Sequence, residues 1–385
     1  MALTTLHAIG AVMLAASTTT SPETAARRAQ QAFARGVQFQ QQGDLKAAGE
    51  AYETARSLAP TRVDVLSNLG LVYSEMGEQD RAVRCFRSAL KVNPRQNAVR
   101  FNLGVAYMRA KSYDLAQSEL SKVVARQPGN LAARNLFGLC LLKLDRTGEG
   151  IAALEAVRHA NPQDADVSYT LVSAYIKTNQ LEKAEPLVRA LDRNHTAEAH
   201  FTVGSYYLAR LDHGRAIQEF TRALERNPAL PEAHAQLAYA YYFELQWDLS
   251  VKMCEDELAL NPDDSNAVKL LGSLYRQQGR LEDAVALLEK AIRLRPDDYE
   301  ILFQLGLLAQ AKNDYPQAVA ILEKVTRLSP DFPPAHVTLV RAYTKLKRTD
   351  DARRERAIVD RLNREGKNLP TVRDKALYDA FRTPQ

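Results

Sequence analysis

The 385-residue sequence predicts an all-α solenoid of about ten stacked helix-turn-helix units. Three residue series carry that prediction. Small residues recur at Gly36, Gly70, Gly104, Gly138, Val172, Gly204, Ala238, Gly272, Gly306 and Val340. A second series runs Ala48, Ala82, Ala116, Gly150, Ala184, Ala216, Ser250, Ala284, Ala318 and Ala352. Prolines follow at 60, 94, 128 and 162, then at 228, 262, 296 and 330. Every step in the first two series is 34 residues, except one of 32 in each at the same place. Three series sharing one period and one slip are not a product of composition.

Each unit reads as two helices. In Val63 to Gln96, Leu66, Leu69 and Tyr73 share one face at helical spacing, as do Ala82, Val83, Phe86 and Ala89. Gly77 and the polar residues after it mark the turn between them. Asn93-Pro94 ends the second helix, because proline lacks the N–H and restricts the residue before it. Gly70 and Ala82 fit where the two helices cross, since a larger side chain there would push the backbones apart. One hairpin cannot bury both faces of its helices, so each unit needs neighbours.

This order of residues resembles the tetratricopeptide repeat (TPR) family. The resemblance rests on Leu69-Gly70, Tyr73, Ala82, Phe86, Ala89 and Pro94, repeated as Leu271-Gly272, Tyr275, Gly279, Ala284, Ala291 and Pro296. It covers roughly nine-tenths of the chain. It implies a right-handed superhelix whose concave face, lined by the first helix of each unit, binds a protein segment. Mapped onto this sequence, the contact positions include Phe101, Asn102, Asn135, Tyr169, Phe201, Ser205, Tyr239, Tyr242, Phe243, Lys269, Arg276 and Phe303. Tyr169, Phe201, Tyr239, Tyr242 and Phe243 would make the middle of the groove aromatic. Exposed aromatics bury large area at low entropic cost and anchor peptides or partner helices. Some family members grip a terminal carboxylate with a Lys/Asn/Asn/Lys/Arg clamp. Asn68 and Asn102 fit its asparagines, but Ala98 and Asn102 stand where its last two cations belong, so no clamp is expected. A looser site for acidic motifs is open near Lys269, Arg276, Arg341 and Lys345.

The expected organisation is a leader at 1–20, repeats one to five at 21–196, repeats six to ten with a charged capping helix at 197–366, and a basic tail at 367–385. The 32-residue steps place the slip between Leu191 and Gly204, in the connection after the fifth unit, which also lacks its terminal proline. Pro186 lies beyond the first turn of that unit's second helix and predicts a kink. Together they mark 192–196 as a candidate joint. One more short helix is expected over Thr371 to Phe381. Leu6 to Ala16 is apolar and Ala15-Ala16-Ser17 resembles a cleavage site, which points to export. Against that, the first basic residues are Arg27 and Arg28, and a plain leader on a cytoplasmic protein fits as well.

Composition narrows the functional classes. No run of 18 apolar residues occurs, so no membrane-spanning helix is expected. Net charge is +5, but Arg341 to Gln385 holds 13 Lys/Arg against 7 Asp/Glu, so the remainder is near neutral. A neutral body argues against tracking a nucleic-acid backbone. Nucleic-acid or anionic-membrane binding through the basic end is the alternative reading. Cys85, Cys140 and Cys254 form no CxxC pair and read as small packing residues. No G-x-x-x-x-G-K-[ST], H-E-x-x-H, G-x-S-x-G or G-x-G-x-x-G motif occurs, so no enzyme and no cofactor is expected. His200, His234 and His336 occupy equivalent first-helix positions, but other units place Leu66, Arg100 or Ser168 there, which argues against a metal site.

Overall fold

The computed structural model describes residues 22–365, and all regular structure among them is α-helical. They divide between Gln163 and Asp164 into two compact units. The leader, the basic tail and the helix expected over 371–381 lie outside the described residues.

In the amino-terminal unit, α1 (Pro22–Gln41), α3 (Val63–Glu75), α5 (Asn97–Arg109) and α7 (Leu131–Lys143) are the first helices of four repeats. Their partners are α2 (Leu45–Leu58), α4 (Gln79–Val92), α6 (Tyr113–Arg126) and α8 (Thr147–Ala160). In the other unit, α9 (Ala165–Lys177), α11 (Ala197–Ala209), α13 (Ala233–Phe243), α15 (Ser265–Gln277), α17 (Tyr299–Ala311) and α19 (Pro333–Lys345) are first helices. They pair with α10 (Leu181–Leu191), α12 (His213–Arg226), α14 (Trp247–Leu260), α16 (Leu281–Leu294), α18 (Tyr315–Leu328) and α20 (Thr349–Arg364). Within each unit every second helix also packs on the first helix of the next repeat. This is a solenoid of TPR hairpins.

The crossings are as tight as the small residues imply. A Cβ added at Gly70 would lie 2.6 Å from Phe86 Cε1, and one at Gly104 would lie 2.7 Å from Leu120 Cγ. Phe86, Leu120, Leu154, Phe220, Leu288 and Leu322 each stand four residues after the second small residue and are fully buried. The glycine leaves the space that this side chain fills. The turn between helices is equally regular. Gly43, Gly77, Lys111, Asp145, Asn179, Leu211, Leu245, Gly279, Asn313 and Lys347 all have positive φ. That left-handed residue stops each first helix and reverses the chain. Acceptors such as Asp44, Asn130, Asp164, Thr196, Asp264 and Asp314 then cap the helices that follow.

The two-residue slip is resolved differently from the sequence expectation. α10 has 11 residues, against 14 in α8 and α12, while the connection after it spans 192–196 and is not short. The deletion therefore removes the last turn of the helix, not part of the loop. Pro186 sits inside α10 and deprives the Glu182 carbonyl of its helical donor. The long charged helix expected near the carboxyl end is α20.

Candidate functional site

The candidate site is the face formed by the first helices, and each unit presents its own. On the amino-terminal unit, Phe101, Asn102 and Asn135 are half-buried, and Phe101 packs against that unit's core. Arg109 reaches back to the preceding repeat and donates to Ser74, 2.9 Å to Oγ and 3.1 Å to the carbonyl.

On the other unit, Tyr169 is half-buried with its hydroxyl 3.3 Å from Thr196 Oγ1. Phe201 is half-buried with its ring 5.7 Å from that of Phe220, and Ser205 Oγ donates to the Phe201 carbonyl. Phe243 is half-buried and stacks on His213 at 4.8 Å. The remaining aromatics are buried. Tyr239 is 6% exposed, Tyr242 8% and Phe303 3%. Tyr242 meets Phe243 edge-on, and Phe303 meets Phe332 the same way at 5.1 Å. The expected exposure of Tyr242 in particular is corrected: it is covered where the next repeat stacks. Burial raises its hydroxyl pKa, and Gln277 Nε2 donates to it at 3.4 Å.

Two of the four cations expected to receive acidic motifs are partly withdrawn from solvent. Lys269 is ion-paired with Glu300 of the next repeat. Arg276 is half-buried, and burial lowers its pKa. Arg341 and Lys345 are exposed. Along the first helices of this unit, Tyr169, Phe201 and Phe243 are half-buried, and Ser173 and Lys345 are exposed.

His200 and His336 have structural partners. His200 Nδ1 lies 2.6 Å from Glu219 Oε2, and His336 Nδ1 lies 2.6 Å from Glu355 Oε2. Arg100 pairs with Glu119 in the same way. In all three, a first-helix residue four before the crossing position meets a glutamate three after the second-helix small residue. That co-occurrence is legible in the sequence, and it is a signal the histidine series alone does not give. Among the described residues no group of three or more His, Cys, Asp and Glu could hold a metal ion. The three cysteines are buried, and burial pushes the thiols of Cys85 and Cys140 up to about 11 and that of Cys254 higher still. Buried thiols of that kind are poor nucleophiles.

Comparison with known families agrees with the geometry. Models described as tetratricopeptide repeat match residues 67–130, 107–165, 141–201 and 309–368, and one described as TPR repeat matches 272–312. The chain belongs to the tetratricopeptide repeat family. Two curated relatives are similar over part of this TPR chain: cellulose synthase operon protein C of Escherichia coli K12 and its putative counterpart in Escherichia coli O157:H7. Each is 30% identical over 173 residues, 39% of this chain, and the match spans only 15% of the relative. Among solved structures, the hetero-tetramer Cut9-Hcn1 of the APC/C aligns over 94% of this chain and 95% of that one, at 16% identity and a TM-score of 0.47. TPR proteins are in general non-catalytic interaction scaffolds. No helix among the described residues is long and apolar enough to cross a membrane.

Proposed function

We propose that this TPR protein is a non-catalytic, cofactor-free scaffold that binds an extended or helical segment of a partner protein on its first-helix face. One observation carries the reading: a fixed frame presents a variable surface. The crossing glycines, their buried partners and the left-handed turns repeat with little change. The position one turn before the crossing is at least partly exposed as Ser67, Phe101, Asn135, Tyr169, Phe201, Lys269 and Val337, and is buried only as Ala235 and Phe303. Stability asks for no such variety on a stacked array, whereas recognition of one particular segment does. Half-buried aromatics with polar neighbours suit a peptide laid across several helices.

Binding through the basic end draws little support from the described part of that end. In α20, Arg353 pairs with Asp350, Arg354 with Asp351 and Arg361 with Glu365, so much of its positive charge is balanced locally. The test is affinity capture with purified full-length protein and with a Tyr169→Ala/Ser173→Arg variant, circular dichroism confirming that both are folded. Proteins retained by the wild type and lost by the variant support the first-helix face. Identical retention by both sinks it.

A further inference from the structure

We infer that the second-helix surface of the first two repeats binds a phosphoryl group. This site is separate from the first-helix face and does not depend on the reading above. An open cleft of about 440 Å³ lies between α2 and α4, lined by Arg56, Arg81, Arg84 and Arg87 together with Glu53 and Tyr73. Four guanidinium groups therefore face one carboxylate. That carboxylate is already engaged: Glu53 Oε2 is 2.6 Å from Arg56, and its Oε1 accepts the Tyr73 hydroxyl at 2.5 Å. Arg81 is also held, 2.7 Å from Glu78 and over the Tyr73 ring at 3.8 Å to the centroid. Arg84 and Arg87 are exposed, and neither has an ion-pair partner among the described residues.

Repeat architecture does not call for these arginines. The residues equivalent to Arg84 in the flanking repeats are Glu50 and Ser118. The position of Arg87 holds glutamate in five other repeats, at Glu53, Glu155, Glu255, Glu289 and Glu323, and Ser121, Arg189 or Thr221 in three more. Glu53, Glu255 and Glu323 accept hydrogen bonds from Tyr73, Tyr275 and Tyr343 of the following repeats. Arg189 is the other cation at this position and is paired with Glu185, whereas Arg87 places an unpaired positive charge there and gives Tyr107 no carboxylate acceptor among the described residues. A helix surface that gives up a repeat-to-repeat hydrogen bond to cluster guanidinium groups gains nothing from repulsion between them. Bound anion supplies the compensation. Guanidinium forks match phosphoryl oxygens, and a phosphoryl group carries about −1.5 to −2 charges at neutral pH against a carboxylate's single one. With Arg56 paired to Glu53 and Arg81 to Glu78, the two uncompensated charges of Arg84 and Arg87 match a dianion. Because the cleft opens to solvent, the group could be free phosphate or a phosphorylated side chain on another protein.

Isothermal titration calorimetry on the full-length protein tests this with three probes: inorganic phosphate, a glycine-rich hexapeptide bearing one phosphoserine, and the same peptide with glutamate instead. The expected result is saturable one-to-one binding of a phosphoryl probe, weakened by salt, with the glutamate peptide about tenfold weaker or worse. Arg84→Gln/Arg87→Gln should weaken it at least about tenfold, and Arg84→Glu/Arg87→Glu should abolish it. Both residues are exposed, so circular dichroism should be unchanged. Tighter binding of the phosphopeptide than of phosphate assigns the source to a protein, and equal binding assigns it to the free anion. No saturable heat from either probe, equal binding of the glutamate peptide, or undiminished binding by the variants overturns the inference.

Discussion

At the scale of single residues, the glycines divide by what a methyl group would meet. Gly70 faces the fully buried Phe86 ring, which has nowhere to go. Gly70→Ala should therefore destabilise, by about 1–3 kcal/mol from overpacking offset by up to about 1 kcal/mol of helix propensity. Gly49 is also helical, yet a Cβ there would find only Val72 Cγ1 at an ordinary 3.7 Å. Gly49→Ala should stabilise by up to about 1 kcal/mol. Amide hydrogen exchange in α2 to α4 reads both changes, and opposite signs are required. Leu245 makes a related case, at φ 58° and 74% exposed. A leucine there bears left-handed backbone strain and buries little. Leu245→Asn, the residue that the turns at Asn179 and Asn313 already use, should stabilise its repeat by about 0.5–1 kcal/mol.

His336 adds a pH dependence. Burial alone would lower its pKa, but its two ring nitrogens face Glu355 at 2.6 Å and the Pro330 carbonyl at 2.9 Å. Only the imidazolium can donate to both acceptors. These bonds outweigh burial and a small opposing effect of Arg361, and the pKa is raised. A raised folded value means stability is fully present below the unfolded pKa of about 6.5 and is lost as pH rises through the folded one. Carbon-detected histidine titration should place the His336 midpoint above about 6.5. Stability of the α19–α20 hairpin, read by hydrogen exchange, should fall from mildly acid to mildly alkaline pH, and His336→Gln should flatten that dependence. A midpoint at or below the unfolded value refutes the assignment.

At the scale of elements, α10 should be the least stable second helix of its unit. It is short by a turn and carries a proline that removes one helical donor. Its amides should exchange faster than those of α12 and α16, and Pro186→Ala should slow them, in keeping with a proline cost of about 3 kcal/mol in a helix interior. Equal protection in all three helices contradicts that expectation. The hairpins themselves were legible in the sequence, because the crossing glycines, the capped turns and the stop at proline are each dictated locally. The place of the deletion was not. Counting between Leu191 and Gly204 gives the number of missing residues but cannot say whether helix or loop lost them. The groove aromatics divide for a similar reason. The repeat register assigns Tyr239, Tyr242 and Phe303 to first-helix positions, but how far the next repeat overlaps them depends on packing between helices distant in sequence. The Arg87 substitution was present in the sequence, and it stands out only once Glu53, Glu255 and Glu323 are seen to accept from tyrosines.

At the scale of the molecule, the cores are closed by their own side chains, so the remaining chemistry is on surfaces. The first-helix face offers variety on a constant frame, and the second-helix face of the first two repeats offers positive charge. Site-specific photo-crosslinking separates the first of these from its reverse side. A benzophenone amino acid is placed singly at Ser173 or Lys345, exposed on first helices, and at Glu225, exposed on the second helix α12. Crosslinks to one and the same partner protein from Ser173 or Lys345, with none from Glu225, are the predicted result. Crosslinking from Glu225 alone, or equally from all three positions, would contradict binding on the first-helix face.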